Sequence, residues 1–259
     1  MEASLAGTTL YDMHCHLDFF AHPAEAAREL ETLRVCALSA TVTPAGYARA
    51  ARELAQARNA RVGVGLHPWW LADGTCGEHD VAEAAALARD TRVVAEVGLD
   101  FARGRDACAE MQQDALGSVL AACEGGGHVL SLHAVRSAGA LLDMLEAHGT
   151  VANNIALLHW FSGTGPELAR AVRMGCHVSV GPRMLQTKRG REWARQVPLP
   201  QLMLETDSPG SAEEGATLRA RAIRESLEKA LTQLAEIRGV EPPELAEALG
   251  RTSRIALFG

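Results

Sequence analysis

The sequence predicts an α/β protein built as a (β/α)8 TIM barrel. Three observations support this fold: eight short apolar runs, amphipathic segments between most of them, and a length of 259 residues. Strands that alternate with helices form parallel sheets, and eight such units close a barrel. A doubly wound open sheet is the alternative, because it has the same order of elements. We expect residues 1–259 to form a single domain, since neither a linker nor an internal repeat is visible.

The predicted strands are short, and each ends in a polar or glycine-bearing tail. They cover residues 9–18, 35–42, 61–68, 92–100, 128–135, 155–163, 176–182 and 202–209. Between most of them, segments such as "AGYARAARELAQAR" place apolar residues at helical spacing, with charges on the opposite face. Gly175 is predicted to end one helix. The chain from Glu213 to Gly259 is predicted to be largely helical, with "EPPE" (241–244) starting the last helix.

Composition argues against several classes of protein. The N-terminus lacks the basic start and apolar run of a signal peptide, and no apolar stretch approaches the length of a membrane span. Six cysteines without a C-x-x-C pair are typical of reduced thiols in a cytoplasmic protein. The net charge of −7 argues against wholesale coating of nucleic acid, although a local basic patch can still bind phosphates.

The stretch "YDMHCHLDFF" (11–20) places two histidines on one face of the first strand. Side chains in a strand alternate between faces, so His14 and His16 point the same way. Two imidazoles at this spacing can bind one metal ion. An isolated pair of this kind is more often structural. Whether these two histidines bind a metal ion therefore depends on the residues at the ends of the other strands.

Barrel enzymes place their functional groups at the C-terminal ends of the strands. The predicted strand ends carry a set of imidazole and carboxyl groups: His14, His16, His67, Glu96, His133, His159 and Asp207. Burying such groups costs free energy unless they are paired or coordinated. We therefore interpret six of them as metal ligands: His14, His16, Glu96, His133, His159 and Asp207.

This ligand set favours two divalent ions over one. Four histidines and two acids exceed the ligand count of a closed zinc site, and a carboxylate such as Glu96 can bridge two ions. A carboxylated lysine cannot form the bridge, because Lys188 and Lys229 lie outside the predicted strands. Zinc, manganese, magnesium, cobalt and iron all fit these ligands, and the sequence does not choose among them.

The same motifs carry a family resemblance. "MHCHLD", "GLHP", "AEVGLDF", "SLHAVRSA", "LHWFSG" and "LETDSP" resemble, in order and approximate spacing, those of the TatD-like metal-dependent deoxyribonucleases, which have an amidohydrolase-like barrel. The resemblance covers residues 11–209, and the ending "IALFG" is also similar. Three segments are most similar to the TatD-like nuclease of Qat anti-phage defence clusters: "CEGGGHVLSLHA", "LHWFSG" and "GCHVSVGPRMLQTKRGR".

The resemblance implies a metal-dependent, exonuclease-like hydrolase of phosphodiester bonds, with DNA as the main candidate substrate and RNA as another. It implies one ion held by His14, His16, Glu96 and Asp207, and a second held by Glu96, His133 and His159. Glu96 and Asp207 are then the catalytic residues, with Asp207 orienting the attacking water and accepting its proton. The Qat-like similarity implies an antiviral role alongside partner proteins of the same gene cluster.

Six residues are candidates for substrate contacts: His67, Arg136, Arg183, Lys188, Arg189 and Arg191. The last four lie in "PRMLQTKRGREWAR" (182–195), predicted to be a basic loop on the metal face, with a solvated helix start as the alternative. Trp69 and Trp70 are candidates for stacking on a base, although we expect at least one in the core. Asp18 and Asp100 either orient ligand histidines or cap loops and helices.

Two departures from the family pattern affect the substrate side. Val135 stands where the family usually has arginine, and Arg136 follows it. After Asp207, "GSAEEGATLRA" (210–220) is acidic where a DNA-binding edge is expected. A metal-dependent amide or ester hydrolase, or a metal-stabilised binding subunit of a defence complex, therefore remains an alternative to a nuclease.

Overall fold

The computed structural model describes residues 5, 7–208 and 215–259. Its central feature is a ring of parallel strands. The strands are β1 (Leu10–Cys15), β2 (Val35–Ser39), β3 (Ala60–Val62), β4 (Val64–Leu66), β5 (Val93–Asp100), β6 (Val129–Val135), β7 (Ile155–Leu158), β8 (His177–Val180) and β9 (Leu202–Leu204). They pair in chain order, β1 to β3 in one sheet and β4 to β9 in another. Each predicted strand region therefore contains at least one strand.

The predicted third strand is divided in two at Gly63. Its first half, β3, pairs with β2, and its second half, β4, pairs with β5. The amide of Gly63 still donates to the carbonyl of Ser39 at 2.9 Å, so the chain changes partner without leaving the ring.

The ring is closed between β1 and the segment that follows β9. The amide of Asp207 donates to the carbonyl of His14 at 2.8 Å, and the amide of His16 donates to the carbonyl of Ser208 at 2.5 Å. Asp12 adds a side-chain link, because its Oδ1 accepts the amide of Thr206 at 2.9 Å. The (β/α)8 barrel is thereby confirmed, and the open sheet is wrong because its edge strands would not meet.

Helices cover the outside of the ring. They are α1 (Pro23–Thr32), α2 (Pro44–Glu53), α3 (Pro68–Ala72), α4 (Glu78–Asp90), α5 (Ala109–Ala122), α6 (Ala138–Ala147), α7 (Thr150–Asn153), α8 (Gly165–Met174), α9 (Pro182–Leu185), α10 (Lys188–Gln196), α11 (Ala216–Arg238) and α12 (Pro242–Phe258). Gly175 ends α8 at φ 94°, and the prolines of "EPPE" start α12, both as predicted. None of the helices in the described ranges is long and apolar enough to cross a bilayer.

The segment 182–195 corrects the prediction of a loop. It forms the two short helices α9 and α10. Pro182 occupies the first turn of α9, where its missing amide hydrogen is not needed. Thr187 caps α10 by accepting the amide of Gly190 on its hydroxyl. The basic residues of this segment are therefore held on helices.

Candidate metal centre

The C-terminal ends of the strands open into one cavity of about 580 Å³. Six of the predicted histidine and acidic residues line it: His16, His67, Glu96, His133, His159 and Asp207. His14 lies directly beneath and is fully buried. The structure thus brings together all six predicted metal ligands and His67 from six parts of the chain.

Glu96 is the centre of this group. Its two carboxylate oxygens contact different imidazoles: Oε2 faces the two histidines at the end of β1, and Oε1 faces the histidines at the ends of the other strands. Oε2 lies 2.6 Å from Nε2 of His14 and 3.0 Å from Nε2 of His16, and Oε1 lies 3.1 Å from Nδ1 of His133, 3.2 Å from Nε2 of His159 and 3.4 Å from Nε2 of His67. One buried carboxylate therefore faces five imidazole rings.

A bulge in β5 turns Glu96 into the cavity. The pairing with β6 shifts between Ala95 and Val97, and Glu96 has a φ of 63°. Asp207 also has a positive φ, of 52°. Such a conformation in a residue other than glycine costs about 1–3 kcal/mol and is concentrated at functional sites. The two acids of the group are thus held in strained backbone by the packing of the barrel.

Gly98 allows the close approach of β5 to β6 beside this bulge. A Cβ at Gly98, where φ is 150°, would lie 2.0 Å from the carbonyl oxygen of His133. Only glycine fits against the partner backbone at that distance. The position of His133 relative to Glu96 therefore depends on this glycine.

The potential ligand atoms form two groups that share Glu96. In the first group, atoms of His14, His16, Glu96 and Asp207 all lie within 4.8 Å of one another, and in the second, atoms of His67, Glu96 and His133 do so. Asp207 Oδ1 lies 3.5 Å from Nε2 of His16 and 4.0 Å from Nε2 of His14. Both groups contain Glu96, but the second contains His67 where the sequence predicted His159.

The residues present fit a metal ion because some of the imidazole nitrogens lack hydrogen-bond partners. Within the described residues, Nδ1 of His16 and Nδ1 of His159 make no hydrogen bond. The rings of His14 and His159 stack 3.9 Å apart at an angle of 7°. Nitrogen donors thus outnumber the oxygens that can satisfy them, and a mixed imidazole and carboxylate set is suited to zinc and similar ions.

Side chains behind the group fix two of the histidines. Nδ1 of His14 is hydrogen-bonded to Oγ of Ser131 at 2.7 Å, and Nε2 of His133 lies 3.3 Å from Oδ2 of Asp100. Asp18, the other predicted orienting acid, lies 3.9 Å from Nδ1 of His16, beyond hydrogen-bonding distance. Sequence reasoning missed Ser131, although its place two residues before His133 puts it on the same face of the strand.

The charges of the group are strongly coupled. Burial and the neighbouring His159 lower the pKa of His14 to about 4. Burial also opposes the charge of His16, but hydrogen bonds to Asp207 and Glu96 outweigh it and raise its pKa to about 10. Burial likewise opposes the charge of Glu96, but the surrounding histidines hold its pKa well below the usual range. The site therefore favours an ionised Glu96 compensated by positive charge.

Another buried acid near the group, Glu205, was also missed by sequence reasoning. It is fully buried and accepts a hydrogen bond of 2.6 Å from Oγ of Ser179. Burial raises its pKa to about 7, opposed by the nearby charge of His159 and by the Ser179 hydrogen bond. Its place in "LETDSP", two residues before Asp207, is the signal that could have found it.

His67 differs from the other histidines of the group because one of its ring nitrogens accepts a backbone N–H. It caps the N-terminus of α3, and its Nδ1 accepts the amide of Trp69 at 3.0 Å. A nitrogen that accepts carries no proton, so the proton of the neutral ring lies on Nε2. Burial lowers the pKa of His67 to about 3, which favours this neutral form. Nε2 therefore presents an N–H, and not a free lone pair, to the cavity.

Of the predicted basic contacts, Arg183 on α9 lines the cavity. Arg136 is exposed after β6, and Val135 lines the cavity beside it. The other three, Lys188, Arg189 and Arg191, lie on α10 outside the lining. The predicted acidic rim at Glu213 and Glu214 lies outside the described residues. Both Trp69 and Trp70 line the cavity, and Trp70 also packs against the core.

Comparisons with known proteins cover almost the whole chain. The profile of the family described as TatD related DNase matches residues 11–257. The chain is 30% identical to the uncharacterized metal-dependent hydrolase YjjV of Escherichia coli (strain K12), over 92% of this chain and 93% of that protein. It is 27% identical to the deoxyribonuclease TATDN3 of Homo sapiens, over 93% of this chain and 92% of that protein.

A solved structure matches the fold. The crystal structure of YjjV, a TatD homolog from Escherichia coli K12, superposes with a TM-score of 0.77 at 24% sequence identity. The match covers 96% of this chain and 97% of the other. It agrees with the closed parallel barrel described above.

Proposed function

Since this chain belongs to the TatD family of metal-dependent deoxyribonucleases, we propose that it hydrolyses DNA from the end of a strand, using two divalent ions that share Glu96. The family makes the chain a metal-dependent hydrolase. We propose three further points: that the substrate is DNA, that hydrolysis starts at the end of a strand, and that two ions are bound.

One observation carries the proposal: five imidazoles and two carboxylates converge on a cavity at the C-terminal mouth of the barrel. His14, His16, Glu96 and Asp207 would hold one ion, and Glu96, His133 and His159 the other. The unpartnered nitrogens of His16 and His159 support these assignments. Zinc, manganese and magnesium are the candidate ions.

Bound divalent ions would supply Lewis acidity, lowering the pKa of a water molecule and neutralising charge on the phosphate. The chain's own residues would orient a water molecule and accept its proton. Asp207 would accept the proton, a role supported by its carboxylate being about a quarter exposed while Glu96 is almost fully buried. His16, 3.5 Å from Oδ1 of Asp207, fixes the orientation of that carboxylate. Glu96 supplies the buried negative charge around which the imidazoles are arranged.

The proposed role of His67 is to donate a hydrogen bond from Nε2 to a phosphate oxygen of the substrate. The amide of Trp69 on Nδ1 supports this role over metal ligation, since the protonated nitrogen faces Glu96 and the cavity. We expect His67→Ala to lower kcat/KM by about 10- to 100-fold, the cost of one hydrogen bond to a charged group. Its metal content should stay the same.

The matched control for His67→Ala is His133→Ala, which should lose metal as well as activity. Metal content measured by elemental analysis, alongside kcat/KM on one oligonucleotide, distinguishes the two. Loss of an ion from His67→Ala would assign His67 to the metal and refute its role as a donor.

The basic helix α10 is the proposed contact for the substrate backbone beyond the cavity. It packs against α9, which places Arg183 in the cavity wall. We expect the double substitution Arg189→Glu and Arg191→Glu to weaken binding of single-stranded DNA and to flatten its salt dependence, because each lost phosphate contact reduces counterion release. Titrations at two salt concentrations measure this. If the variant and the wild type have equal affinity for DNA and equal salt dependence, the proposed contact to α10 is refuted.

The nuclease proposal as a whole is tested with end-labelled single-stranded DNA, RNA and duplex DNA, each with and without chelator. We expect shortening of single-stranded DNA from one end, lost on chelation and restored by adding back one of the candidate metals. Internal cuts would refute the strand-end proposal, and metal-loaded protein inert on all three would refute the nuclease.

A second candidate function is hydrolysis of amides or esters. It is favoured by the cavity itself, because Arg183 is the single lysine or arginine among its described lining residues. Turnover of small amides or esters by metal-loaded protein that leaves DNA intact would favour it. Metal content without turnover on any of these substrates would favour the binding subunit of a defence complex.

The biological setting is also a proposal. The similarity of "GCHVSVGPRMLQTKRGR" to the Qat nuclease supports an antiviral role with partner proteins of a Qat-type cluster. The unpaired state of all six cysteines supports a cytoplasmic protein, and the closed ring supports a single domain over residues 1–259. Phage challenge of cells that express the neighbouring genes with wild-type protein or with Glu96→Gln tests the antiviral role. Equal protection by both would refute it.

A further inference from the structure

We propose that Trp69 forms a subsite for the terminal nucleobase of a single-stranded substrate, with Arg105 and Asp100 as its positioning residues. The inference rests on the proposed nuclease function and names the part of the substrate that the cavity recognises. It also explains how a cavity with little positive charge can hold a nucleic-acid end.

The cavity wall beside the metal centre is aromatic. Apart from the histidines, four aromatic side chains line it: Phe19, Trp69, Trp70 and Trp160. Phe19 is 43% exposed and Trp69 is 45% exposed. Large aromatic faces left open to water in a concave site favour a planar apolar ligand, and a nucleobase is such a ligand.

Trp69 is fixed before any ligand binds. Its indole N–H donates to Oδ2 of Asp100 at 2.5 Å. The guanidinium of Arg105 lies 4.7 Å from the centre of the indole ring, and its Nε lies 3.1 Å from Oδ1 of Asp100. Arg105 is not among the lining residues, so it supports the ring from outside the cavity. A ring held in this way loses little conformational entropy when a base stacks on it.

Asp100 also sets the distance between this platform and the metal centre. The carboxylate that anchors Trp69 lies 3.3 Å from Nε2 of His133, whose Nδ1 lies 3.1 Å from Glu96. The rings of Trp69 and His133 are 6.4 Å apart. A base and its own phosphate are separated by one sugar, which bridges such a gap. Stacking on Trp69 would therefore bring the phosphate of that nucleotide to the proposed metal centre.

The test compares two oligonucleotides of the same length and sequence, one with a thymine at the cleaved end and one with an abasic residue there. Stacking of a base on an aromatic side chain is worth about 1–3 kcal/mol, so wild-type protein should prefer the thymine end by about 5- to 150-fold in kcat/KM. Trp69→Ala should abolish this preference, and Trp69→Phe should retain part of it. Ile255→Ala, an exposed apolar residue on α12, should retain all of it.

Arg105 tests the positioning role separately from the metal. Arg105→Ala should reduce the ratio between thymine and abasic ends while metal content and thermal stability stay unchanged, and Arg105→Lys should recover part of the ratio. A purely structural role would lower the rate on both substrates equally. An unchanged ratio in Arg105→Ala would overturn the positioning role.

A binding measurement separates failure of this inference from failure of the nuclease proposal. The fluorescent base 2-aminopurine at an oligonucleotide end should be quenched by metal-free wild-type protein and not by Trp69→Ala. Equal cleavage of thymine and abasic ends, or the same quenching with both proteins, would overturn the base subsite even if DNA is hydrolysed. Quenching by Trp69 without hydrolysis would retain the subsite and refute the nuclease.

Discussion

Glu96→Gln is expected to abolish both stoichiometric metal binding and hydrolysis. The substitution keeps the size of the side chain but removes the charge that five imidazoles face, at distances of 2.6 to 3.4 Å. We expect the rate to fall by about 10³-fold or more, equivalent to about 4 kcal/mol of transition-state stabilisation. Elemental analysis of metal and initial rates on single-stranded DNA measure the two losses.

The result is informative only if the variant folds. Glutamine meets the same backbone strain at position 96 as glutamate, so the thermal unfolding of the metal-free proteins should remain cooperative. Glu247→Gln, the same chemical change on the exposed surface of α12, is the matched control and should keep full activity. A Glu96→Gln protein that binds two ions and hydrolyses DNA would remove the shared carboxylate from the mechanism.

Asp207→Asn is expected to separate hydrolysis from binding. The amide keeps the shape of the side chain but cannot accept a proton from water, and removing a general base typically costs about 10²- to 10⁴-fold in rate. The loss should appear in kcat, while the affinity for single-stranded DNA changes little. Initial rates at saturating substrate measure kcat, and a separate binding titration measures the affinity for single-stranded DNA.

The backbone at Asp207 favours this substitution. Its φ of 52° lies in the left-handed region, which asparagine tolerates better than most residues. The hydrogen bond from the backbone amide of residue 207 to the carbonyl of His14 does not involve the side chain and is unaffected. Asp143→Asn, in an exposed ion pair with Arg170, serves as the control. If kcat of Asp207→Asn equals that of wild type, the proton acceptor lies elsewhere in the group.

Predictions from the sequence were most successful where a local pattern carries the information. The strand positions follow from short apolar runs, and the meeting of His14, Glu96 and Asp207 follows from the rule that parallel strands of a barrel end at one mouth. The loop predicted for 182–195 was wrong, whereas its alternative, a helix start, is found at Pro182 and again at Lys188.

The substrate side was less predictable. Arg183 lines the cavity whereas Arg189 and Arg191 do not, although all three lie in one basic stretch. Which of them reaches the cavity depends on where α9 ends and how α10 packs against it. The hydrogen bond from Trp69 to Asp100 likewise joins residues that no sequence pattern connects.

By itself, the sequence determined the barrel, the kinds of side chain at its mouth and the family to which they point, because strand periodicity and motif order are local properties. The tertiary structure decided which oxygen of Glu96 each histidine faces, which nitrogen of His67 carries the proton, and where Trp69 is held. These depend on the bulge at Glu96 and on contacts between remote strands. A glutamate has no local preference for that strained backbone, so only the packing of the closed ring can impose it.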